Sequence, residues 1–291
     1  MFNLFNSLDR ALKKAAKKRQ QRVLIAWNRG LGDIALGLYA LVHRIRHFMP
    51  DAEVTFITRS NLKDGFALLP GVSVLEATQW RRKVPFDLPQ TLADLGVDKH
   101  SFDLILEAPN PTRDLKWQLG TLTPKLEWNP AWDGLHERFS LPTGCIGVHV
   151  QTETGYAPGR DWPLEKHREL FTQVKTPIVL FGFAPHPALE MPHVIDLRGK
   201  TALFDMLSVI KHRCHTLLVP DSGVLSFTYY LNCAFPLRVV SLWGNPRMGV
   251  LKQNVASPNP LLVHTPLYGK NETAADIAVD AVLEALELSH V

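Results

Sequence analysis

Short apolar runs bounded by turn residues alternate with segments of helical periodicity along the chain, and this alternation restarts in the second half. In the first half, Val23–Trp27 is predicted to be a buried strand, and Asp33–Phe48 has apolar residues three and four positions apart, as a helix requires. In the second half, Ile146–Val150 is predicted to be a strand and Leu164–Val174 a helix. Strands that alternate with helices are typical of parallel sheets with crossover helices. The sequence therefore predicts an α/β protein with two Rossmann-like halves.

The same reading assigns the rest of the chain. The other predicted strands are Glu53–Thr58, Val72–Leu75, Asp103–Leu106, Pro177–Phe181, Val194–Leu197, Leu217–Val219 and Leu237–Leu242. The other predicted helices are Ala202–His212, Gly223–Leu231 and Ala274–Leu288. Thr121–Pro142 lacks a clear period and is the predicted linker. The expected organisation is an N-terminal segment (1–22), a first domain (23–140) and a second domain (141–291).

The positive charge of the chain is concentrated at its start. Residues 1–22 contain seven Lys and Arg against one acid, Asp9, whereas the remainder has 25 basic and 27 acidic residues. A basic groove for nucleic acid is therefore not predicted. Apolar residues at near-helical spacing precede the lysines: Phe2, Leu4, Phe5, Leu8 and Leu12. This pattern fits either a helix on an anionic membrane surface or a helix packed against the protein or a partner.

Other features of composition exclude several classes of protein. No apolar run approaches the roughly 18 residues of a membrane span. The three cysteines, Cys145, Cys214 and Cys233, lack the spacing of zinc ligands or of a disulfide framework. This favours a reducing compartment, and we expect a cytoplasmic protein.

The segment Asn28–Gly37 follows the first strand and opens a helix. Gly30, Gly32 and Ala35 satisfy the dinucleotide fingerprint, in which case Arg59 could meet an NADP 2′-phosphate. However, Asp33 would lie against the pyrophosphate, where two negative groups about 4 Å apart repel by roughly 4 kcal/mol. A carboxylate held at a helix N-terminus can instead take a proton from an attacking hydroxyl. Asp33 is thus a candidate general base, or simply an acid at the start of a helix.

Three loops of the second half could hold an anionic ligand, because ligands of parallel sheets bind at the carboxyl ends of the strands. Arg160 precedes a predicted helix in a glycine-containing loop and can pair with two phosphate oxygens, or with a surface carboxylate. Ser222 and Gly223 begin the helix after the predicted strand Leu217–Val219, where free N–H groups bind anions or a simple N-cap forms. Asp221 is expected to cap that helix or to accept hydrogen bonds from sugar hydroxyls. The loop Phe181-Gly182-Phe183 is a weaker candidate that offers an aromatic wall for a nucleobase. The turn that contains Arg247 is a weaker candidate for the same anionic ligand.

Short motifs occur in a recognisable order between Val23 and about Gly249. They are Gly32-Asp33, Pro50-Asp51-Ala52-Glu53, Arg160-Asp161-Trp162-Pro163, Leu197-Arg198-Gly199-Lys200-Thr201, Asp221-Ser222-Gly223 and Trp243-Gly244. This ordered set resembles the heptosyltransferase-type glycosyltransferases of family nine, which transfer heptose from ADP-heptose to lipopolysaccharide. The resemblance implies two Rossmann-like domains facing across a cleft (GT-B), with the acceptor on the first and the nucleotide sugar on the second. It also implies inverting transfer without a metal or other cofactor.

The resemblance assigns roles by position. Asp33 matches the general base of the family, beside the acceptor-side glycines Gly30 and Gly32. The donor would bind at Gln151, Thr152, Arg160, Asp221, Ser222 and Gly223, with Arg160 at the position of a phosphate-binding lysine. Two positions depart from the family. Ser226 stands where a histidine is usual, and the acid expected soon after Gly182 is missing, Glu190 being a distant substitute.

The sequence thus predicts a glycosyltransferase that moves a sugar, with heptose favoured, from a nucleotide-diphosphate donor to a glycolipid or other glycan. ADP-heptose is the favoured donor, and residues 1–22 could hold the protein on the inner face of the membrane. Two alternatives remain open at this point: an NADP-dependent oxidoreductase, and a sugar-nucleotide-binding protein without catalytic activity.

Overall fold

The computed structural model describes residues 7–82, 84–107, 109–115, 120–152, 158–183 and 188–287. Contacts between residues divide the chain into two compact units, Met1–Glu127 and Trp128–Val291. Each unit is built around its own parallel sheet, as the alternating sequence pattern predicts. The protein is therefore an α/β protein with two parallel sheets.

The first unit contains a four-stranded sheet in the order β3-β2-β1-β4. Its strands are β1 (Arg22–Trp27), β2 (Glu53–Thr58), β3 (Val72–Glu76) and β4 (Leu104–Glu107). All three pairings are parallel, and β1 lies at the centre between β2 and β4. Residues Val23–Trp27 of β1 are buried, as a strand covered on both faces requires.

Helices precede, connect and follow the strands of the first unit. They are α1 (Ser7–Lys17), α2 (Tyr39–Phe48), α3 (Ser60–Phe66), α4 (Leu88–Asp94) and the short α5 (Pro111–Asp114). A π-helical segment, Ile34–Leu38, leads directly into α2, and a 3₁₀ turn spans Lys99–Ser101. The predicted helix Asp33–Phe48 is therefore present, with a wider first turn than the sequence pattern indicated.

Helix α1 packs on the body of the first unit. Leu8, Leu12 and Ala15 are buried, and they repeat at the spacing of a single helical face. Asp9 accepts two hydrogen bonds from Arg44 of α2, one of 2.8 Å from Nε, in an ion pair that is largely buried on both sides. Residues 7–17 therefore form a helix packed against the protein, which is one of the two arrangements predicted for the N-terminal segment. Phe2, Leu4 and Phe5, part of the same prediction, lie outside the described residues.

The second unit contains a six-stranded parallel sheet in the order β10-β9-β8-β5-β6-β7. Its strands are β5 (Cys145–His149), β6 (Ile178–Phe181), β7 (Val194–Asp196), β8 (Cys214–Pro220), β9 (Leu237–Trp243) and β10 (Leu262–Tyr268). The central strands β5 and β8 are neighbours, so the loops that follow them emerge side by side.

Helices connect and follow the strands of the second unit. They are α6 (Leu164–Gln173), α7 (Leu203–Arg213), α8 (Gly223–Tyr230), α9 (Gly249–Gln253) and α10 (Val279–Glu287). A hydrophobic core joins α6 and α10 to the sheet through residues such as Val148, Trp162 and Phe171. No helix among the described residues is both long and apolar enough to cross a bilayer.

The predicted linker, Thr121–Pro142, contains structure of its own. Pro130–Phe139 forms a 3₁₀ helix that packs on α7. Trp132 stacks on Phe204 with ring centroids 3.9 Å apart, and Asp133 accepts hydrogen bonds from Lys211 and His212. This helix therefore belongs to the second unit, which begins earlier in the chain than the domain boundary expected at residue 140.

Candidate functional site

Asp33 lies at the start of the helix that follows β1. Its backbone is helical, and Oδ2 accepts a hydrogen bond of 3.2 Å from the N–H of Gly30. A Cβ on Gly30 would stand only 3.2 Å from this oxygen, so the glycine allows the loop to turn back onto the carboxylate. The side chain of Asp33 is half-buried and makes no capping bond to the π-helical segment. Its carboxylate is therefore held by the preceding loop at the carboxyl end of the central strand.

The segment Ile34–Leu38 is entirely buried behind Asp33. A π-helical turn is rare, and it changes the direction in which the residues at its start point relative to the rest of the helix. Such turns occur frequently at functional sites because they cost stability that an ordinary helix would keep. The turn thus marks the beginning of this helix as unusual, which the apolar spacing alone could not indicate.

Four arginines gather at the same end of this sheet, and we call Arg29, Arg59, Arg81 and Arg82 the arginine cluster. Arg59 follows β2 and donates a 2.9 Å hydrogen bond to the carbonyl of Arg29. Asn28 donates to the carbonyl of Arg81 over 2.9 Å, which ties the two arginine-bearing loops together. Burial and the neighbouring charge of Arg82 both lower the pKa of Arg59. Of these residues, only Arg59 was a candidate from the sequence, although the adjacent pair Arg81-Arg82 after β3 indicates a cationic edge.

Buried polar atoms without a hydrogen-bond partner lie in the same loops. Among the described residues, Trp27 Nε1, Asn28 Oδ1 and Arg59 Nε are buried and have no partner in the structure. Buried polar groups are normally satisfied, and leaving one unpaired costs about 1–3 kcal/mol. Three such atoms at one end of a sheet are typical of a site that receives polar groups of a ligand.

In the second unit, the structure brings two of the predicted donor loops together. Arg160 Nη2 lies 3.0 Å from Asp221 Oδ2, and the side chains are 19% and 9% exposed. Arg160 lies in the 3₁₀ turn Pro158–Arg160, and Asp221 follows directly after β8. Burial raises the pKa of Asp221, and the Arg160 charge opposes this rise. The expectation that Asp221 caps a helix is wrong, since Ser222 is the N-cap of α8 and Asp221 pairs with Arg160.

Glycines hold these loops close to one another. A Cβ on Gly249, whose φ is +47°, would collide with Asp221 Oδ1. A Cβ on Gly159 would collide with the carbonyl oxygen of Glu272, and one on Gly244 would lie 2.6 Å from the carbonyl oxygens of both Glu272 and Gly159. The turn that carries Arg160 is therefore fixed by backbone packing against the loops that follow β9 and β10.

The N-terminus of α8 has the form of an anion site. Ser222 Oγ accepts from the N–H of Leu225 over 3.4 Å, and Gly223 is the first residue of the helix. The dipole and the unpaired N–H groups at such a terminus favour negative charge. Ser226 occupies the position where the resemblance expects a histidine, and it is buried with its hydroxyl donating to the carbonyl of Ser222. The departure at Ser226 thus replaces a side chain that could reach a ligand by one that bonds its own helix.

The other predicted site residues are placed as follows. Thr152 donates from its N–H and its hydroxyl to Asp161 Oδ1, over 2.7 and 2.8 Å, and Gln151 beside it is half-buried. Phe183 is 66% exposed after β6, whereas Phe181 is buried. Arg247 and Glu190 are exposed. Contacts therefore join Arg160 to Asp221 and Thr152 to Asp161, and no contact among the described residues joins Arg247 or Glu190 to them.

No protein-family model matches the chain, and no curated protein sequence matches it. Solved structures do match. E. coli ADP-heptose LPS heptosyltransferase II superposes with a TM-score of 0.63 at 17% identity, over 92% of this chain and 98% of that one. The chain has the heptosyltransferase fold.

Two further structures support this result. The glycosyl transferase family 9 protein from Veillonella parvula has a TM-score of 0.59 at 14% identity, over 92% of this chain and 97% of that one. E. coli heptosyltransferase WaaC, solved with ADP, has a TM-score of 0.58 at 16% identity, over 92% and 100% of the two chains. WaaC has also been solved with ADP-2-deoxy-2-fluoro heptose. The resemblance inferred from ordered motifs is confirmed at the level of the fold.

Proposed function

We propose that the chain is an inverting, metal-independent glycosyltransferase that moves a sugar, with heptose favoured, from a nucleotide-diphosphate donor to a glycan. The observation that carries the proposal is the ion pair of Arg160 with Asp221, which brings a guanidinium beside the N-terminus of α8. The heptosyltransferase fold supports it, since proteins of this fold have been solved with ADP and with an ADP-heptose analogue.

The donor would bind in the second unit. A nucleoside diphosphate leaves with growing negative charge, and a fixed cation together with a helix N-terminus can stabilise that charge without a metal. Arg160 would pair with the diphosphate, while Ser222 and Gly223 would offer backbone N–H groups to it. Gln151 and Thr152 would contribute polar contacts from the loop after β5, and Asp221 would accept from sugar hydroxyls or hold Arg160.

The acceptor would bind in the first unit. Asp33 would take the proton of the acceptor hydroxyl as its oxygen bonds to the anomeric carbon. The bond from that carbon to the diphosphate breaks, and its electron pair leaves with the diphosphate, so that the configuration inverts. Gly30 and Gly32 would let the acceptor approach the backbone. The arginine cluster favours an acceptor that carries phosphate or carboxylate groups, as a lipopolysaccharide-type glycolipid does.

This proposal includes the arrangement and location of the protein. The acceptor would bind to the first unit (Met1–Glu127) and the nucleotide sugar to the second (Trp128–Val291), as the resemblance to the GT-B glycosyltransferases implies. The protein would work in the cytoplasm, on the inner face of the membrane, with residues 1–22 in contact with the lipid surface.

The donor site can be tested by calorimetry with ADP-heptose, UDP-sugars and GDP-sugars. We expect ADP-heptose to bind most tightly and Arg160→Ala to weaken binding about tenfold or more, since a charge-assisted hydrogen bond contributes roughly 1.5–3 kcal/mol. Arg168→Ala is the matched control, because Arg168 is exposed and its side chain donates to the carbonyl of Ala188. Equal loss in both variants would contradict the assignment of Arg160.

The base can be tested with Asp33→Asn. Transfer to acceptor should fall by about 10²–10⁴, while donor affinity stays unchanged, because a general base acts on the acceptor hydroxyl alone. Unchanged turnover in Asp33→Asn would remove Asp33 from the mechanism.

One alternative has a specific observation in its favour. Ser226 stands where the family usually has a histidine, and its hydroxyl donates to the carbonyl of Ser222 in its own helix. The contact of that histidine with the sugar nucleotide is therefore lost, which favours a sugar-nucleotide-binding protein that lacks activity. Such a protein would bind donor with the same dependence on Arg160 and would show no transfer to any glycan acceptor. Binding of NADPH in place of a sugar nucleotide would instead support an oxidoreductase.

A further inference from the structure

Helix α1 has two opposite faces of different character. Leu8, Leu12 and Ala15 are buried against the first unit. Arg10, Lys13, Lys14 and Lys17, which we call the basic stripe, repeat at intervals of three and four residues and are exposed. At 3.6 residues per turn the basic stripe lies on the side of the helix opposite the buried residues.

The charge of the basic stripe is not compensated by its own segment. Asp9 is the single acid of residues 1–22, and its carboxylate is paired with Arg44. Within the described part of the chain, no ion pair joins Arg10, Lys14 or Lys17 to an acid. Like charges three and four residues apart on a helix destabilise it. The stripe therefore costs stability, and a helix packed only to complete the first unit would not need it.

We propose that the basic stripe docks the protein electrostatically on an anionic lipid bilayer while α1 stays folded on α2. The proposal rests on the proposed function in one respect, since an acceptor embedded in lipid would give such a contact its use. The apolar face of α1 is occupied by the core, so this helix cannot insert its leucines into the lipid. A flat row of cations on one helix fits a planar anionic surface. Nucleic acid is less favoured, because the chain outside residues 1–22 has slightly more acids than bases.

The test is sedimentation of the full chain with vesicles of phosphatidylcholine, alone or with about one third phosphatidylglycerol. We expect binding to the anionic vesicles alone, and loss of it at roughly 0.5 M salt, where charges are screened within a few ångströms. The combined variant Arg10→Gln, Lys14→Gln and Lys17→Gln should bind about 100-fold more weakly, from roughly fivefold for each surface cation.

A matched control separates the position of the charges from their number. Lys99, Lys125 and Lys175 are exposed, and replacing all three by Gln changes the net charge by the same amount. This control should bind anionic vesicles like the unmodified protein. Equal loss in the two triple variants, or binding that survives high salt through apolar insertion, would overturn the proposal. Binding of duplex DNA that depends on the stripe, with unchanged vesicle binding, would assign the surface to nucleic acid instead.

Membrane docking through the basic stripe and sugar transfer can be measured separately. Transfer to a water-soluble, lipid-free acceptor fragment should be the same in the stripe variant and in the unmodified protein. A protein that binds vesicles through the stripe but transfers no sugar would retain the docking surface and lose the proposed activity.

Discussion

Gly249 shows at the level of a single residue how the donor site is held. Its φ of +47° lies in the left-handed region, and a Cβ there would meet both Asp221 Oδ1 and, at 3.0 Å, a ring carbon of Trp243. We expect Gly249→Ala to lower the free energy of unfolding by about 1–3 kcal/mol, from backbone strain and the collision. The same change should weaken binding of ADP, because Asp221 must move and Arg160 is paired with it. Chemical denaturation and calorimetry measure the two effects.

Gly134 provides the control for this prediction. It lies in the same unit, and a Cβ at Gly134 would meet nothing within 4 Å. Gly134→Ala should therefore leave both stability and ADP binding close to those of the unmodified protein. A Gly249→Ala variant that loses stability but binds ADP normally would mean that Asp221 does not position Arg160 for the ligand.

At the level of an element, α1 depends on Leu12, which is completely buried. Leu12→Ala should lower the free energy that keeps α1 docked by about 2–5 kcal/mol, through lost burial and the cavity that remains. We expect faster amide hydrogen exchange over residues 7–17 and little change in the sheet strands. Lys14→Ala, on the exposed face of the same helix, should exchange like the unmodified protein. Exchange that accelerates equally in α1 and in β1 would show that the helix unfolds only with the whole unit.

The elements that the sequence predicted well are those in which burial dictates the residue types. Strand Glu53–Thr58 was predicted to the residue, since β-branched and aromatic residues dominate it and Val54, Phe56 and Ile57 are buried. Strand β10 was missed because Pro266 interrupts it, and an edge strand tolerates the missing N–H. Helix α4 was missed despite its N-cap Asp87, because it is only two turns long and offers little periodicity.

The same distinction applies to the candidate site. Arg160 and Ser222 could be selected from sequence because each follows a predicted strand in a parallel sheet. The pairing of Arg160 with Asp221 could not be predicted from the sequence, since the two residues are about 60 positions apart in the chain. They meet because β5 and β8 are neighbours in the sheet. The arginine cluster was missed for the same reason, because its members come from three separate loops of the first unit.

At the level of the whole molecule, the two units differ in how they bury histidine. His43, His47 and His100 of the first unit are exposed. In the second unit, His149 and His167 are 7% and 1% exposed, and burial lowers the pKa of each to about 4. In the unfolded chain their pKa returns to about 6.5, so between pH 6.5 and 4 the unfolded state binds more protons. The stability of the second unit should therefore be complete above pH 6.5 and fall as the pH decreases toward 4.

This difference predicts that acid selectively destabilises the second unit. At pH 5 each of the two buried histidines should cost about 2 kcal/mol relative to pH 7. All three cysteines lie in the second unit, so their labelling at increasing urea reports its unfolding, while amide exchange in β1 and β2 reports the first unit. Burial also lowers the pKa of His264 in the same unit to about 4, so His167→Gln removes one of three sites of proton uptake and should reduce the loss between pH 7 and 5 by about a third. A merely structural role for His167 would lower stability equally at both pH values, because the protons taken up on unfolding would then bind to other groups.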